Sequence, residues 1–437
     1  MTVTRHQWGL SPLVLPRGSR VCVGFSGGLD SVVLLDALHE ARESSGITLS
    51  AIHVHHGLSP NADAWADFCA AFCAARAIPL EVIRVQLDRQ SGQGIEAAAR
   101  DARYAAYATR EVDVIALAHH LDDQAETVLL QLLRGTGIKG AAAMPASRTL
   151  PGTSIEIVRP LLDMPRDTLL ERARARGLEW VEDESNRSSV FDRNFLRNEI
   201  VPRLAERFPN WRDALARFAR HAADADALLT LLARQDGVRA DALPTAALTD
   251  PARRANALRA FLHANALPMP GEARLDEMAR QLFESRRDAR VRIEHGGAAL
   301  VCHRGEIRLD REPRPEAGWT LDWAGEPELA LGEGRGVVRF ARAEGEGICE
   351  DTTREAGWRF APRAGGERLR LDAKRPNRAL KNLLQESAVP VWQRMRLPLL
   401  FHRDQLVWVP GIGIAEAYRC PEGRSGLLPE WFFPPPA

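Results

Sequence analysis

A short apolar run, Val21 to Phe25, passes through Ser26-Gly27-Gly28-Leu29-Asp30-Ser31 straight into a second apolar stretch with helical spacing. A buried strand, a glycine turn and a helix in that order constrain the chain to an α/β fold with an anion cradle at the turn. Two consecutive glycines remove side-chain bulk, so backbone N–H groups can approach a phosphate, and the helix directs its positive end to the same point. Ser26 and Ser31 add hydroxyl donors. Asp30 is the informative exception, because a carboxylate beside phosphates is repelled unless it binds a divalent cation or reaches past them to another partner. The turn points to a nucleotide held with Mg2+ by Ser26, Gly27, Gly28, Leu29, Asp30 and Ser31, with Asp30 as the metal ligand. An ordinary tight turn is the plain alternative.

No lysine follows these glycines, which separates the turn from the P-loop of kinases and GTPases. It resembles the SGGxDS signature of the PP-loop ATP pyrophosphatases, which cleave ATP between the α and β phosphates and adenylate a substrate. The following sequence keeps alternating. Strands are expected at Arg20 to Phe25, Leu49 to His55, Leu80 to Val85 and Val114 to Ala118. Helices are expected at Asp30 to Arg42, Ala62 to Ala77, Gly94 to Arg110 and Asp122 to Arg134. Short strands separated by helices imply a parallel sheet wound on both faces, with ligands beyond the carboxyl ends of its strands.

At 437 residues the chain exceeds one ordinary core, so two or three domains are expected. Its 58 basic and 58 acidic residues balance, giving no global sign of a polyanion partner. Only Lys139, Lys374 and Lys381 are lysines, so arginine abundance alone carries little weight and only clusters count. Six cysteines lack C-x-x-C or zinc spacing, and Cys69 and Cys73 read as small core residues. MTVTRHQWGL has no export core and no stretch is apolar enough for a membrane span, so a soluble, cytoplasmic protein is expected.

The second strand ends in His53-Val54-His55-His56, which places His53 beside the phosphate turn as a pocket wall. Arg100, Arg103, Tyr104 and Tyr107 share a helical stripe; a solvated arginine face over packed aromatics is one reading, and neutralising charge on an α-phosphate the other. His119-His120-Leu121-Asp122-Asp123-Gln124-Ala125-Glu126 opens the fourth helix. Asp122 and Glu126 are four apart and so neighbours on one face. Capping explains part of this acidity, but three carboxylates and two histidines exceed it. They could bind Mg2+, or hold an ammonium and take its proton.

SGGLDS, HVHHGLSPNAD, HHLDDQAETVLLQLLRGTG and EDESNRSSVFDRNFLRNEIVP, the last from Glu182 to Pro202, together resemble the bacterial tRNA(Ile)-lysidine synthase family. The likeness resumes between Pro362 and Pro410 with RAGGERLRL, LKNLLQE and VPVWQRMRLPLL. It implies ATP-dependent ligation of free lysine to C2 of the wobble cytidine of a tRNA(Ile) with a CAU anticodon, through an adenylated tRNA. The product, lysidine, changes codon reading and aminoacylation from Met to Ile. The resemblance makes Asp30, Arg100, Arg103, Asp122, Asp123 and Glu126 the catalytic candidates, and adds Arg193 and Arg197 of R-N-x-x-R to the nucleotide contacts. Surface pairing with Glu199 is the plain alternative for those two arginines.

The expected architecture is an α/β, doubly wound parallel-sheet PP-loop catalytic domain over 1–209, a mainly helical tRNA-docking domain over 210–312, and a small α+β, β-rich tRNA-binding domain over 313–437. Pro313 and Pro315 mark the second linker. Trp358 to Lys381 carries eight basic residues against Glu367 and Asp372, and with Trp358, Phe360 and Trp392 nearby it suits phosphate tracking as well as a solvated face. Arg134, Arg368, Arg370, Lys374 and Lys381 are the expected tRNA contacts. No membrane partner is expected, and a homodimer is the one self-association left open. Two other readings stand beside the ligase. A PP-loop tRNA thiolase would want paired cysteines near ATP. A noncatalytic nucleotide-sensing RNA-binding protein would leave the acids at Asp122 to Glu126 without a balancing charge.

Overall fold

The computed structural model describes residues 17–86, 95–184, 189–246, 248–284, 291–311, 318–332, 334–374, 376–387 and 389–433. The expectations at MTVTRHQWGL, Gly94, Pro313 and Pro315 lie outside these residues. The chain forms two compact units, Met1–Leu228 and Leu229–Ala437.

In the first unit, β1 (Arg20–Gly24), α1 (Leu29–Ser45), β2 (Thr48–His55), α2 (Ala62–Ala74), β3 (Leu80–Arg84), α3 (Ile95–Ala108), β4 (Val114–Ala116) and α4 (Leu121–Leu133) follow the expected alternation. α5 (Ile138–Ala141), β5 (Ser147–Thr149), β6 (Glu156–Val158) and α6 (Arg166–Ala175) extend it beyond what the sequence announced. The sheet order is β3-β2-β1-β4-β6-β5. All pairs are parallel except β5 with β6, an antiparallel edge. Strand order reverses between β1 and β4, and a ligand crevice is expected at that switch point.

Alternate residues of β1 enter different cores, which is why both faces need helices. Val21 and Val23 pack with residues of α1, α2 and α6, while Cys22 joins Ala106 and Tyr107 of α3 on the other side. Each fully buried valine or leucine here contributes roughly 1.5–3 kcal/mol of transfer free energy. Buried Asp36 of α1 meets Nε of Arg176, the C-cap of α6, at 2.5 Å, and Arg172 within α6 reaches Glu40 at 2.9 Å, fixing α6 against α1. After α6 come α7 (Asp192–Phe195), a π-turn at Leu196–Ile200, α8 (Val201–Arg207) and α9 (Trp211–Gln235).

In the second unit, β7 (Leu243–Pro244), α10 (Pro251–Ala264), α11 (Glu272–Glu284), β8 (Arg292–His295), β9 (Ala298–His303) and β10 (Glu306–Asp310) form helices against an antiparallel sheet of order β7-β10-β9-β8. The remainder is β-rich, built on one five-stranded and one four-stranded sheet and a short ribbon pairing Arg368–Leu369 with Arg378–Ala379. Trp358 and Phe360, expected beside a phosphate-tracking surface, are instead core residues at 2% and 0% exposure, packed with Trp323, Phe340 and Trp408. Strand alternation turns them inward, so neither is free to stack on RNA. No helix among the described residues is long and apolar enough to cross a membrane.

Candidate active site

The turn after β1 is held open by its own backbone. Gly27 adopts φ +83°, and a Cβ there would meet Cys69 Sγ at 3.0 Å and Val181 Cγ2 at 3.1 Å. Val181 N–H donates to the Gly27 carbonyl at 3.0 Å, which fastens the turn from behind. Gly28 is the N-cap of α1 at φ −73°, with no side chain capping the helix. The first N–H groups of α1 have neither an intrahelical acceptor nor a side-chain cap from the N-cap residue at the helix's positive end, the arrangement that receives anions. Ser26 Oγ and Ser31 Oγ lie 3.1 Å apart, and Ser31 Oγ donates to the Gly28 carbonyl at 3.0 Å. Leu29 is a core residue at 4% exposure, so its contribution to the cradle is its backbone.

Asp30 stands in the first turn of α1. Its Oδ1 is buried with no hydrogen-bond partner; the nearest cation is Arg166 Nε at 3.9 Å. Its Oδ2 lies 3.6 Å from His120 Nε2. Among the described residues no group of three or more His, Cys, Asp or Glu side chains could hold a metal alone. An unsatisfied carboxylate oxygen beside an anion cradle suits Mg2+, which is commonly bound by one or two carboxylates together with substrate phosphates. The residues present fit that ion.

His53 sits under the turn rather than in its mouth. It is 5% exposed, and its Nδ1 shares a 2.9 Å hydrogen bond with the Phe25 carbonyl, with burial lowering its pKa.

His120 is the N-cap of α4 in a reciprocal capping box with Asp123, so part of the acidity is indeed capping. Asp122 is engaged twice, accepting from Arg166 N–H at 2.9 Å and from Arg212 Nε of α9. Asp123 receives Arg197 Nη2 at 2.9 Å and Arg193 Nη2 at 3.3 Å. Glu126, 2% exposed, receives Arg197 through both carboxylate oxygens at 2.7 Å and Arg193 Nε at 3.2 Å. Arg193 and Arg197 are four residues apart, so the turn from α7 into the π-turn delivers both to one place. Among their described contacts is no pairing with Glu199, which instead receives Ser189 Oγ.

These arginines supply the balancing charge that the sequence left to a metal or an amine. Burial opposes the ionised form of Asp123, but His120, Arg193, His119 and Arg197 outweigh it and hold its pKa at about 2. A carboxylate that acidic remains ionised, so it suits holding a cation rather than accepting a proton. His120 is desolvated, yet Asp30, Asp123 and Asp122 raise its pKa above the ordinary value. Burial drives His119 down to about 3. Arg212 and Arg166 were not singled out from sequence; in an arginine-rich chain nothing local marks the two that reach Asp122.

Arg100 and Arg103 are exposed on α3, and Arg100 lies over the Tyr104 ring at 5.2 Å. Tyr107 of the same stripe is core. Arg103 acts on His56, which burial first and then this charge lower to about 4. Arg134 pairs with Asp192 at 2.9 Å, and Gly135 at φ +69° ends α4 as the plain C-cap reading expected. In the second unit Arg359, Arg363 and Arg378 are neutralised by Asp404, Glu367 and Glu386. Arg368, Arg370, Lys374 and Lys381 are exposed and have no carboxylate partner for their side chains among the described residues. Burial pushes Cys69 up to about 12 and Cys73 to about 11, so neither supplies the thiolate a thiolase would need.

A doubly wound sheet with this turn at its switch point defines a PP-loop protein, and residues 6–204 match the family model described as a PP-loop domain. Residues 243–308 match the TilS substrate binding domain, and 358–431 the TilS substrate C-terminal domain. The chain is 44% identical over 422 residues to tRNA(Ile)-lysidine synthase of Chromobacterium violaceum, covering 94% of each. It is 42% identical to that of Nitrosomonas europaea, covering 95% of this chain and 92% of the relative. The protein of the same name from Azoarcus sp. is also 42% identical, covering 94% and 92%. This chain belongs to the tRNA(Ile)-lysidine synthase family.

Proposed function

We propose that this protein joins free lysine to C2 of the wobble cytidine of a tRNA(Ile) with a CAU anticodon, using ATP and releasing AMP and pyrophosphate. The observation that carries the reading is the uncapped start of α1, with Asp30 Oδ1 unsatisfied, set beside an acid cluster on α4. Oxygen on C2 of cytosine is a poor leaving group. Its attack on the α-phosphate, with pyrophosphate departing, converts it into one that leaves as part of AMP when the lysine ε-amine attacks C2. The amine must first lose a proton.

The N–H groups at the start of α1 and the hydroxyls of Ser26 and Ser31 bind the phosphates, and Asp30 holds Mg2+, which when bound neutralises the departing pyrophosphate. Arg100 and Arg103 lie exposed on α3, which packs over the sheet, and stabilise charge at the α-phosphate. Asp123 and Glu126, with Arg193 and Arg197, form a rigid ionic frame whose acidic side attracts the ammonium. Because Asp123 stays ionised, its role in that frame is to hold charge. On this reading 1–209 is catalytic, 210–312 docks tRNA and 313–437 binds it through Arg368, Arg370, Lys374 and Lys381. Arg134 adds a contact near the site.

Incubation with labelled lysine, ATP and transcribed tRNA(Ile), followed by mass analysis of the anticodon base, tests this. A cytidine gaining the mass of lysine less water is the expected result; incorporation of sulfur, or an unmodified base with every component present, contradicts it.

A further inference from the structure

Beyond the acid cluster, the same sheet edge carries an opposite charge that nothing above employs. Arg159 follows β6 and is 3% exposed. Its Nη1 donates to the Pro145 carbonyl at 2.6 Å, while its Nε is buried without a partner. Arg148, on the neighbouring edge strand β5, lies over the Tyr104 ring at 5.1 Å, and its Nε is likewise buried and unpartnered. Both arginines act electrostatically on the Tyr104 hydroxyl, as does Arg100 beside them. Among the described residues no carboxylate forms an ion pair with Arg148 or Arg159. A buried charge without a counter-ion is costly, so a buried guanidinium with an open N–H is a place prepared for an anion.

We propose that Arg148 and Arg159, with the Tyr104 hydroxyl, form a subsite for the α-carboxylate of a free amino acid, the lysine of the reading above on which this inference rests. Position decides against the ATP phosphates. β6 is two strands from β1, about 10 Å across the sheet at the usual strand spacing, whereas the phosphate cradle is at β1 itself. Depth decides against an RNA phosphate, since a polymer backbone stays at a site's mouth and Arg159 is almost fully enclosed. The acids are adjacent: His119 feels Asp123 together with Arg159, Arg193 and Arg100. Gln124 of α4 binds both backbone groups of Met144 at 3.0 Å, which ties the loop carrying Pro145 to the acid helix. A dipolar amino acid lying with its ammonium toward the ionic frame of α4 and its carboxylate toward β5 and β6 supplies the anion that Arg148 and Arg159 lack.

The test compares lysine with lysinamide, whose carboxyl group is neutral, in wild type, Arg148→Gln and Arg159→Lys. Steady-state kinetics and equilibrium dialysis of each labelled compound are measured, with circular dichroism to confirm folding. Arg148→Gln, on an edge strand and less buried than Arg159, keeps the test alive should Arg159→Lys fail to fold. The expected result is a rise of about tenfold or more in KM and Kd for lysine, with lysinamide changed less than about twofold and the KM for ATP in lysine-free AMP release unaltered. Equal shifts for lysine and lysinamide, or a rise confined to the KM of ATP or tRNA, would overturn the assignment. Were wild type to bind lysine yet form no lysidine, the ligase reading would fail while the binding comparison still decided this one.

Discussion

Gly27 and Gly28 are adjacent in sequence but do different things, and alanine separates them. At Gly27 the φ of +83° forces an L-residue into a left-handed conformation, costing roughly 1–2 kcal/mol. The new Cβ also presses Cys69 Sγ, Val181 Cγ2 and Phe68 Cδ1 at 3.0, 3.1 and 3.3 Å, adding roughly 1 kcal/mol of overpacking. Gly27→Ala is therefore expected to destabilise the first unit by about 2–3 kcal/mol, a fall of roughly 5–10 °C in its thermal midpoint for a unit of this size. At Gly28 the φ of −73° is ordinary and the nearest atom to a Cβ is Ser26 Oγ at 3.6 Å, so the fold accepts alanine. Gly28→Ala should shift stability by no more than about 1 kcal/mol, the scale of an N-cap change, and weaken ATP because the methyl group borders the cradle. Scanning calorimetry and equilibrium dialysis with labelled ATP measure the two effects. Wild-type melting of Gly27→Ala, or wild-type ATP affinity of Gly28→Ala, would refute the assignment of strain to one glycine and anion access to the other.

Asp30→Asn should remove Mg2+-dependent AMP and pyrophosphate formation while tRNA binding in a filter assay stays within about twofold; normal adenylation would show that Oδ1 holds no ion. Changing Arg368, Arg370 and Lys374 together should weaken tRNA and lower the slope of log K against log salt by roughly 2–3, near one counter-ion per charge, and an unchanged slope would remove the patch from the interface. His119 is held neutral when folded, with a pKa of about 3 against an ordinary 6.5. Its stabilising contribution is thus fully present above pH 6.5 and lost as pH falls toward 3. His119→Gln should flatten denaturation midpoints between pH 6.5 and 4, leaving the shares of His56, His53 and His39, which burial also lowers; a curve as steep as wild type would contradict the buried imidazole.

Much of the first unit's fold is visible in the sequence because β1 to β4 are apolar runs and the helices between them are long enough to be periodic. β5 and β6 are three residues each, and Ser147-Arg148-Thr149 has no apolar pattern, so the antiparallel edge is silent there. The residue types at the site are also legible: Ser26 to Ser31, the acids of α4, and Arg193 and Arg197 all lie in distinctive runs. Their partners are not. Arg212 reaches Asp122 across 90 residues, a distance in sequence that no local pattern encodes. The same holds for Arg159, whose importance lies in burial rather than spacing. Trp358 and Phe360 mislead because an aromatic among basic residues looks the same in sequence whether its strand turns it toward solvent or toward Trp323.

The decisive measurement follows the oxygen atom of the target base. A tRNA(Ile) transcript carrying oxygen-18 at O2 of the wobble cytidine, incubated with ATP and lysine, should yield AMP bearing that isotope on its phosphate and lysidine that has lost it. AMP without the label, formed alongside modified tRNA, would mean that the carbonyl oxygen was never joined to the α-phosphate.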